Sequence, residues 1–328
     1  MSKVTAAARY ARDLLPDKVV ESDRFERFEM DVARLVGRPV PRRRQVLRTL
    51  DELDDRLDRL DVAAAESDDA LRREFLTFRM DLDFPMPPDP YSSEYRRAVF
   101  ELYELLHGSP YSTANEDTPF DTAAAVDAPF PFCTQSAKTV GDHLMGIGHI
   151  VRSLDLPPGS RVLEMGAGWG NTTLVLAQMG HKVTAIDVSP KFTDLIQSRA
   201  GRIGTHIDTV VGDFAKIHDL EGQFDAVVFF ESFHHCSDHL GLLSGLDRVV
   251  APGGQVMFAA EPIGKSFPVP WGLRLDGESL WAIRRHGWLE LGFHSSYFVQ
   301  TLDRYGWRVD RTELPGCQWG QIHLARRR

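Results

Sequence analysis

The spacing of apolar residues changes along this chain and divides it into two parts. Residues 1 to about 80 are rich in Arg, Asp, Glu, Leu and Ala and nearly lack Gly, which predicts helices. A row of apolar residues is spaced alternately by four and three positions: Val46, Leu50, Leu53, Leu57 and Leu60. This row is an a/d seam of about two heptads, shorter than a free-standing coiled coil usually needs. It predicts either a helical hairpin within the chain or a surface for homodimer formation.

Prolines interrupt this pattern over residues 84–90, which no helix can cross. Ser93 to His107 then predicts one amphipathic helix that ends at Gly108. Residues 108–134 carry four prolines among small and acidic residues and are typical of a loop. We therefore predict a helical N-terminal region over residues 1–134 that serves in oligomerisation or as a cap over a substrate.

From residue 135 to 328, apolar strand candidates alternate with helix candidates. The strands are predicted at Arg161–Met165, Lys182–Ile186, Ile207–Val211, Phe224–Phe230 and Gln255–Ala260, and the helices at Asn171–Gln178, Pro190–Arg199 and His239–Arg248. Buried strands with helices between them indicate a parallel sheet covered on both faces. Trp307–Thr312 and Gln321–Ala325 predict an antiparallel pair at one edge. The predicted fold class is α/β, a doubly wound Rossmann-like sheet preceded by the α-helical region.

Charge and composition exclude several classes of protein. The 38 basic and 47 acidic residues give a net charge of −9, which argues against nucleic acid or anionic lipid as a partner. The three cysteines lie far apart and suit a reducing compartment. Because no apolar run approaches 18 residues and no signal peptide is recognisable, we expect a cytoplasmic protein without a membrane span.

A glycine-rich turn follows the first predicted strand of the sheet, at Gly166, Gly168 and Gly170. The next strand ends at Asp187, where an acid typically binds ribose hydroxyls. Such a turn and acid suit NAD, FAD or S-adenosylmethionine. However, the glycine spacing departs from the dinucleotide fingerprint, and Glu164 lies two residues before the first glycine. A carboxylate there favours a ligand that carries an ammonium and a sulfonium.

Five motifs occur in one order: E-M-G-A-G-W-G, I-D-V-S, G-D-F, F-D-A-V-V-F-F-E and L-D-R-V-V-A-P-G-G. In this order the chain resembles the class I S-adenosylmethionine-dependent methyltransferases over roughly residues 135–325. The resemblance implies a methyltransferase sheet with S-adenosylmethionine as cofactor. It also implies that the cofactor is bound by Glu164, Gly166, Ala167, Gly168, Asp187, Val188, Asp213, Phe214 and Glu231. The N-terminal helices and the segment after residue 261 resemble bacterial methyltransferases found beside glycosyltransferases.

Candidate catalytic residues follow the fourth and fifth strands: Glu231, His234, His235 and Glu261. Transfer of a methyl group to a hydroxyl requires a base, and histidine titrates in the right range. A pair of histidines can instead cap the strand and shape the pocket. His239 adds a metal-ligand spacing to His235, but without a further ligand cluster we predict no metal.

Residues 262–300 exceed a minimal strand-to-helix connection and predict a lid insertion. The expected acceptor contacts are Trp271, Arg274, Trp281 and Arg285, because aromatic faces and guanidinium groups suit sugar rings and anions. The same segment could equally be the apolar side of a covering helix.

The predicted activity is methyl transfer from S-adenosylmethionine to a hydroxyl of a glycan or sugar-bearing metabolite. One alternative is an N- or C-methyltransferase on a small metabolite, which needs no strong base. Another is an inactive, cofactor-binding partner subunit.

Overall fold

The structure is a computed structural model and describes residues 44–62, 64–117, 120–127 and 136–328. Its strands are β1 (Gln45–Leu47), β2 (Phe78–Met80), β3 (Arg161–Met165), β4 (Lys182–Asp187), β5 (Asp208–Val211), β6 (Phe224–Phe230), β7 (Val250–Ala259), β8 (Ile263–Gly264), β9 (Trp271–Leu273), β10 (Leu291–His294), β11 (Trp307–Glu313) and β12 (Gln321–Arg327). Its helices are α1 (Leu50–Asp58), α2 (Asp68–Phe75), α3 (Ser93–His107), α4 (Thr122–Asp127), α5 (Ala137–Leu154), α6 (Asn171–Gln178), α7 (Pro190–Ile203), α8 (His239–Val249), α9 (Gly277–His286) and α10 (Ser295–Arg304).

The main sheet has seven strands in the order β11-β12-β7-β6-β3-β4-β5. Strands β5, β4, β3, β6 and β7 pair in parallel, and β12 runs antiparallel to both β7 and β11. The predicted α/β fold with an antiparallel edge is confirmed. The fifth predicted strand begins five residues earlier than expected, at Val250.

Both faces of this sheet are covered, as its apolar strands predict. Along β6, Val227 and Phe229 pack into one apolar cluster, and Ala226 and Val228 pack into another. Successive side chains of a strand point to opposite faces, so a strand covered on both sides must be apolar throughout. Helices therefore lie on both sides of the sheet, and the ends of its strands remain available for a site.

The N-terminal seam does not form a continuous helix. Val46 lies in β1, which pairs in parallel with β2, and α1 begins only at Leu50. Thr49 and Glu52 form a capping box that fixes this start. Leu53 and Leu57 are 0% and 3% exposed, so these two leucines pack within the chain. The purely helical prediction was wrong for residues 45–47 and 78–80, because pairing between distant segments overrides local propensity. Homodimer formation stays a prediction.

The described residues of the N-terminal region pack against the segment that follows β7, and we call the described residues within 44–127 and 262–294 the cap. The backbone N–H of Met80 donates to the Leu275 carbonyl at 2.8 Å. The Tyr95 hydroxyl donates to the Trp271 carbonyl at 2.7 Å. Within the cap, β8, β10 and β9 form a separate three-stranded sheet. The cap therefore contains two pieces of sequence that lie more than 130 residues apart.

Across the described residues, no helix combines the length and the apolar character that crossing a membrane requires.

Candidate active site

A cavity of about 480 Å³ lies between the carboxyl ends of the parallel strands and the cap. The sheet contributes the loops after β3, β4, β5 and β6, and ligands of open α/β sheets bind at this edge. The cap contributes the opposite wall, at Tyr111, Thr113, Glu116, Phe120 and Trp288. The site is therefore built from both parts of the chain.

The glycine turn after β3 opens onto this cavity. Gly166 and Gly168 adopt φ values of 72° and 50°, in the left-handed region that favours glycine. A Cβ on Gly166 would fall 2.5 Å from the Cβ of Ser232, whereas a Cβ on Gly168 would meet nothing within 4 Å. Gly170 then starts α6 without a side-chain cap. The turn therefore brings bare backbone to the cavity, with the amino end of a helix beside it.

Asp187 ends β4 and holds this turn in place. One carboxylate oxygen accepts from the Gly168 N–H at 2.8 Å, and the other accepts from the Ser189 N–H at 2.9 Å. Burial raises the pKa of Asp187, and these two hydrogen bonds oppose that rise. Each oxygen keeps a second lone pair, so the side chain can still accept from ribose hydroxyls.

The adjoining wall suits the rest of an adenosine. Val188 and Phe214 line it with apolar surface. Asp213 also lines it, and its carboxylate accepts from the Ala215 N–H at 3.0 Å at the start of a short 3-10 helix. An open glycine cradle, a ribose-binding acid and an apolar slot are the features that S-adenosylmethionine needs, so the residues present fit this cofactor.

Two of the residues implied for cofactor binding, Glu164 and Ala167, do not line the cavity, and a third, Glu231, lines it with a perturbed carboxyl. Glu164 is buried behind the wall, where its carboxylate accepts from the Thr173 hydroxyl and burial raises its pKa to about 7. Ala167 packs into an apolar cluster. Glu231 lines the cavity at a φ of 50°, and burial raises the pKa of its carboxyl to about 7, opposed by a hydrogen bond from Trp319.

Glu261 anchors the loop that carries the histidines. Its carboxylate accepts from the N–H groups of Ser232, Phe233 and His234 at 2.9, 2.9 and 3.1 Å, and from His234 Nδ1 at 2.8 Å. Burial by itself would raise the pKa of Glu261, but these hydrogen bonds outweigh it and hold the pKa below its usual value. Glu261 is thus a buried, ionised anchor and does not line the cavity, which argues against it as the base.

His234 and His235 point in different directions, although their ring centroids lie only 4.1 Å apart. His234 is buried between two carboxylates, with Nε2 4.0 Å from Glu290. His235 lines the cavity, and its Nδ1 lies 3.4 Å from the Glu116 carboxylate. Of the two histidines, His235 is the one positioned to contact a bound acceptor.

Glu116 was not predicted from the sequence. It lies in a short 3-10 helix, Thr113–Glu116, and accepts from the Leu289 N–H at 2.8 Å and from the Tyr111 hydroxyl at 3.1 Å. Burial raises its pKa, and His235, the Leu289 N–H and the Tyr111 hydroxyl oppose that rise. Its only sequence signal was a single acid in a segment that is typical of a loop.

One group of metal-ligating side chains occurs beside the cavity. His234, His235 and Glu290 each bring one ligand atom within 4.8 Å of the others. Arg274 already donates to the Glu290 carboxylate at 3.0 Å, so this candidate ligand is paired with a protein cation. His239, whose spacing suggested a metal ligand, is buried with Nε2 2.8 Å from the Tyr297 hydroxyl. The absence of a metal remains a prediction.

The four residues expected to contact the acceptor do not line the cavity. Trp271 is 2% exposed and donates from Nε1 to the Pro90 carbonyl at 2.8 Å. Arg274 bonds Asp276 and Glu290, and Arg285 pairs with Asp58. Trp281 packs on Phe75, with ring centroids 5.4 Å apart. These contacts support the alternative of a covering segment, because the N-terminal region supplies partners that the insertion alone does not reveal. Trp288, from the same insertion, does line the cavity.

The fold, the glycine turn and the acids at the strand ends define a nucleoside-cofactor domain of the methyltransferase type. Residues 162–254 match a family model described as a methyltransferase domain. Residues 162–254 are therefore a methyltransferase domain, in agreement with the ordered motifs, and S-adenosylmethionine is the cofactor of the class that those motifs resemble.

Curated relatives are similar to this chain over about a third of its length. A ubiquinone biosynthesis O-methyltransferase of Xanthomonas campestris is 30% identical over 31% of this chain and 43% of its own length. One from Methylocella silvestris is 34% identical over 31% of this chain and 40% of its own. The chain thus spans less than half of these relatives. Magnesium protoporphyrin IX methyltransferase of Synechocystis, solved with S-adenosylhomocysteine, is 16% identical, with a TM-score of 0.43 over 65% of this chain and 90% of its own.

Proposed function

We propose that this protein transfers a methyl group from S-adenosylmethionine to a hydroxyl of an acceptor bound between the methyltransferase domain and the cap. The observation that carries this proposal is the position of His235, whose ring lines the cavity while its Nδ1 faces the Glu116 carboxylate at 3.4 Å. A hydroxyl is a poor nucleophile when neutral, and a positioned imidazole is the usual group that removes its proton.

The chain's own groups would hold the cofactor in the sheet half of the cavity. The glycine turn at residues 166–168 would accommodate the methionine end, Asp187 the ribose, and Val188 with Phe214 the adenine. Bound S-adenosylmethionine supplies an activated methyl group and a neutral sulfur leaving group. The protein contributes alignment of the acceptor with that methyl group and removal of the acceptor's proton.

Glu116 biases His235 towards the chemical state that this reaction needs. Nδ1 makes no hydrogen bond to the residues that the structure describes, but a carboxylate 3.4 Å away favours by its charge the tautomer with the proton on Nδ1, which leaves the Nε2 lone pair free to act as the base. The hydroxyl proton moves to Nε2 as the oxygen–methyl bond forms, and the imidazolium that results is then stabilised by Glu116. Glu116 in turn is oriented by the Leu289 N–H and the Tyr111 hydroxyl. His235 is thus the proposed base and Glu116 its positioning residue.

Two further points support O-methylation of a ring-shaped acceptor. The curated relatives are named as O-methyltransferases. Tyr111 and Trp288 line the cap wall, and aromatic side chains suit sugars and other rings. A glycan or sugar-bearing metabolite is therefore our proposed acceptor class.

The test is transfer of a labelled methyl group from S-adenosylmethionine to a low-molecular-weight cell extract. His235→Gln should lower the rate at least about a hundredfold while cofactor affinity stays within about threefold. His206→Gln is the matched control, because this histidine is exposed and lies outside the cavity. Full activity in His235→Gln would instead favour an N- or C-acceptor. Cofactor binding without any transfer would favour the inactive partner subunit.

A further inference from the structure

We infer that the acceptor site selects for uncharged or cationic acceptors and discriminates against acceptors that carry a phosphate, sulfate or carboxylate. This inference rests on the proposed function, because it describes the acceptor of that same site. It starts from the charge of the cavity wall. Acidic side chains line it at Glu116, Asp187, Asp213, Glu231 and Asp238, and among the described residues that line it there is neither an arginine nor a lysine. Asp187 and Asp213 belong to the cofactor half, and burial raises the pKa of Glu231 to about 7. Glu116 and Asp238 are therefore the carboxylates that give the acceptor half its acidic character.

The three arginines of residues 262–294 are already paired with acids outside the cavity wall. Arg284 donates to both carboxylate oxygens of Asp54, at 2.8 and 2.6 Å. Arg274 is bound by Asp276 and by the buried Glu290, and Arg285 pairs with Asp58. An anionic acceptor could recruit one of these only by breaking a pair and leaving a carboxylate uncompensated. Separating such a pair is costly, most of all for the buried Glu290.

The rim of the cavity offers little positive charge that could balance an anionic acceptor. Arg96 lies 3.5 Å from Asp238, and the two side chains are 45% and 55% exposed. Its charge is therefore already balanced by an acid, and salt screens an exposed pair of this kind. The rim pair leaves the acidic character of the cavity in place.

Glu116 puts this acidic character where the acceptor would bind. It belongs to the cap wall, between Tyr111 and the proposed base His235, and it is fixed by two hydrogen-bond donors. A carboxylate held in this way cannot swing away from an incoming anion, so like charges would be forced together. An ammonium group would be attracted by the carboxylate, which lies in a wall that also contains the aromatic residues Tyr111 and Trp288. An uncharged polyol carries no charge that the Glu116 carboxylate could repel, so the wall does not exclude it.

The experiment measures binding and does not depend on turnover. The full chain is saturated with S-adenosylhomocysteine, and binding of two matched ring sets is followed by ligand-observed NMR. The aromatic set is tyrosol, tyramine and 4-hydroxyphenylacetate, and the sugar set is methyl glucoside, methyl glucosaminide and methyl glucuronide. Within each set the members are neutral, cationic and anionic.

In at least one set, the neutral and cationic members should bind at least about tenfold more tightly than the anionic member, which corresponds to about 1.4 kcal/mol. Raising the ionic strength should shrink the difference between the charged members, because salt screens charges. Glu116→Gln should reduce the preference for the cationic over the anionic member. Asp219→Asn, at an exposed acid outside the cavity, should leave it unchanged.

Equal or tighter binding of the anionic members would overturn the inference. Failure of all six probes to bind at about 10 mM would also overturn it, since a ring site should reach at least millimolar affinity. The inference and the proposed function fail separately. If the protein transfers methyl groups but binds the anionic probes more tightly, only the inferred charge selectivity is wrong. If it shows the predicted charge preference but transfers no methyl group, only the proposed function is wrong.

Discussion

Replacement of Asp187 by alanine should affect both the glycine turn and the cofactor, because this carboxylate accepts two backbone hydrogen bonds besides those expected from a ribose. Its oxygens accept from Gly168 at 2.8 Å and from Ser189 at 2.9 Å. Leaving a buried donor unsatisfied costs about 1–3 kcal/mol. Because Asp187 lines the cavity, water can replace part of this loss. We therefore expect Asp187→Ala to lower the free energy of unfolding by about 1–3 kcal/mol.

The Asp187→Ala substitution should also weaken cofactor binding, beyond any effect of the disturbed glycine turn. The ribose loses a charged acceptor, and hydrogen bonds to charged groups contribute about 1.5–3 kcal/mol, so Kd should rise by roughly 10- to 150-fold. Calorimetry measures the affinity, and denaturant unfolding measures the stability. Asp187→Asn is the matched control, because it keeps the shape and one acceptor oxygen and should lose less of both. If Asp187→Ala retained the wild-type stability and bound the cofactor within threefold, the assigned role of this strand end would be refuted.

Three further predictions follow from the packing of the cap and from buried titratable groups. Leu53→Glu with Leu57→Glu should destabilise the fold by several kcal/mol without changing the sedimentation mass, since both leucines are buried within the chain, whereas Leu76→Glu, at a leucine that is 59% exposed, should change stability by less than about 0.5 kcal/mol. Burial lowers the pKa of His239 from 6.5 to about 3, so this histidine is neutral when folded and binds a proton when unfolded. Wild type should therefore lose up to about 1.4 kcal/mol per pH unit relative to His239→Gln as the pH falls from 6.5 towards 3, measured by denaturant unfolding, and parallel curves would contradict the neutral assignment. Arg274→Ala should lower stability by roughly 3 kcal/mol, because it leaves the buried Glu290 without its guanidinium. An unchanged melting temperature with a raised acceptor KM would instead restore the arginine to the acceptor site.

The sheet was predictable because its signals are local. Each buried strand is an apolar run of a length typical of strands, and three glycines in five residues indicate the turn after β3. The acid at Asp187 could be recognised because strand ends in such sheets meet at one edge. These features depend on residues that are neighbours in the sequence, and the alternation of strands and helices already indicates the fold.

The acceptor half of the site was not predictable because it depends on contacts between distant segments. Glu116 acquires its role by accepting from the Leu289 N–H, 173 residues further along the chain. Trp271 looked like an exposed aromatic contact, but Tyr95 and Pro90 from the N-terminal region bury it. The sequence shows which residue types are present in the insertion, but it does not show which of them already have partners.

The most direct test of the account is a calorimetric titration of S-adenosylmethionine into the full chain. We expect one site with a Kd in the micromolar range, about −8 kcal/mol, and loss of binding in a folded Gly168→Val variant, whose side chain would project into the open turn. Tight binding of NADH with no response to S-adenosylmethionine or S-adenosylhomocysteine would contradict it.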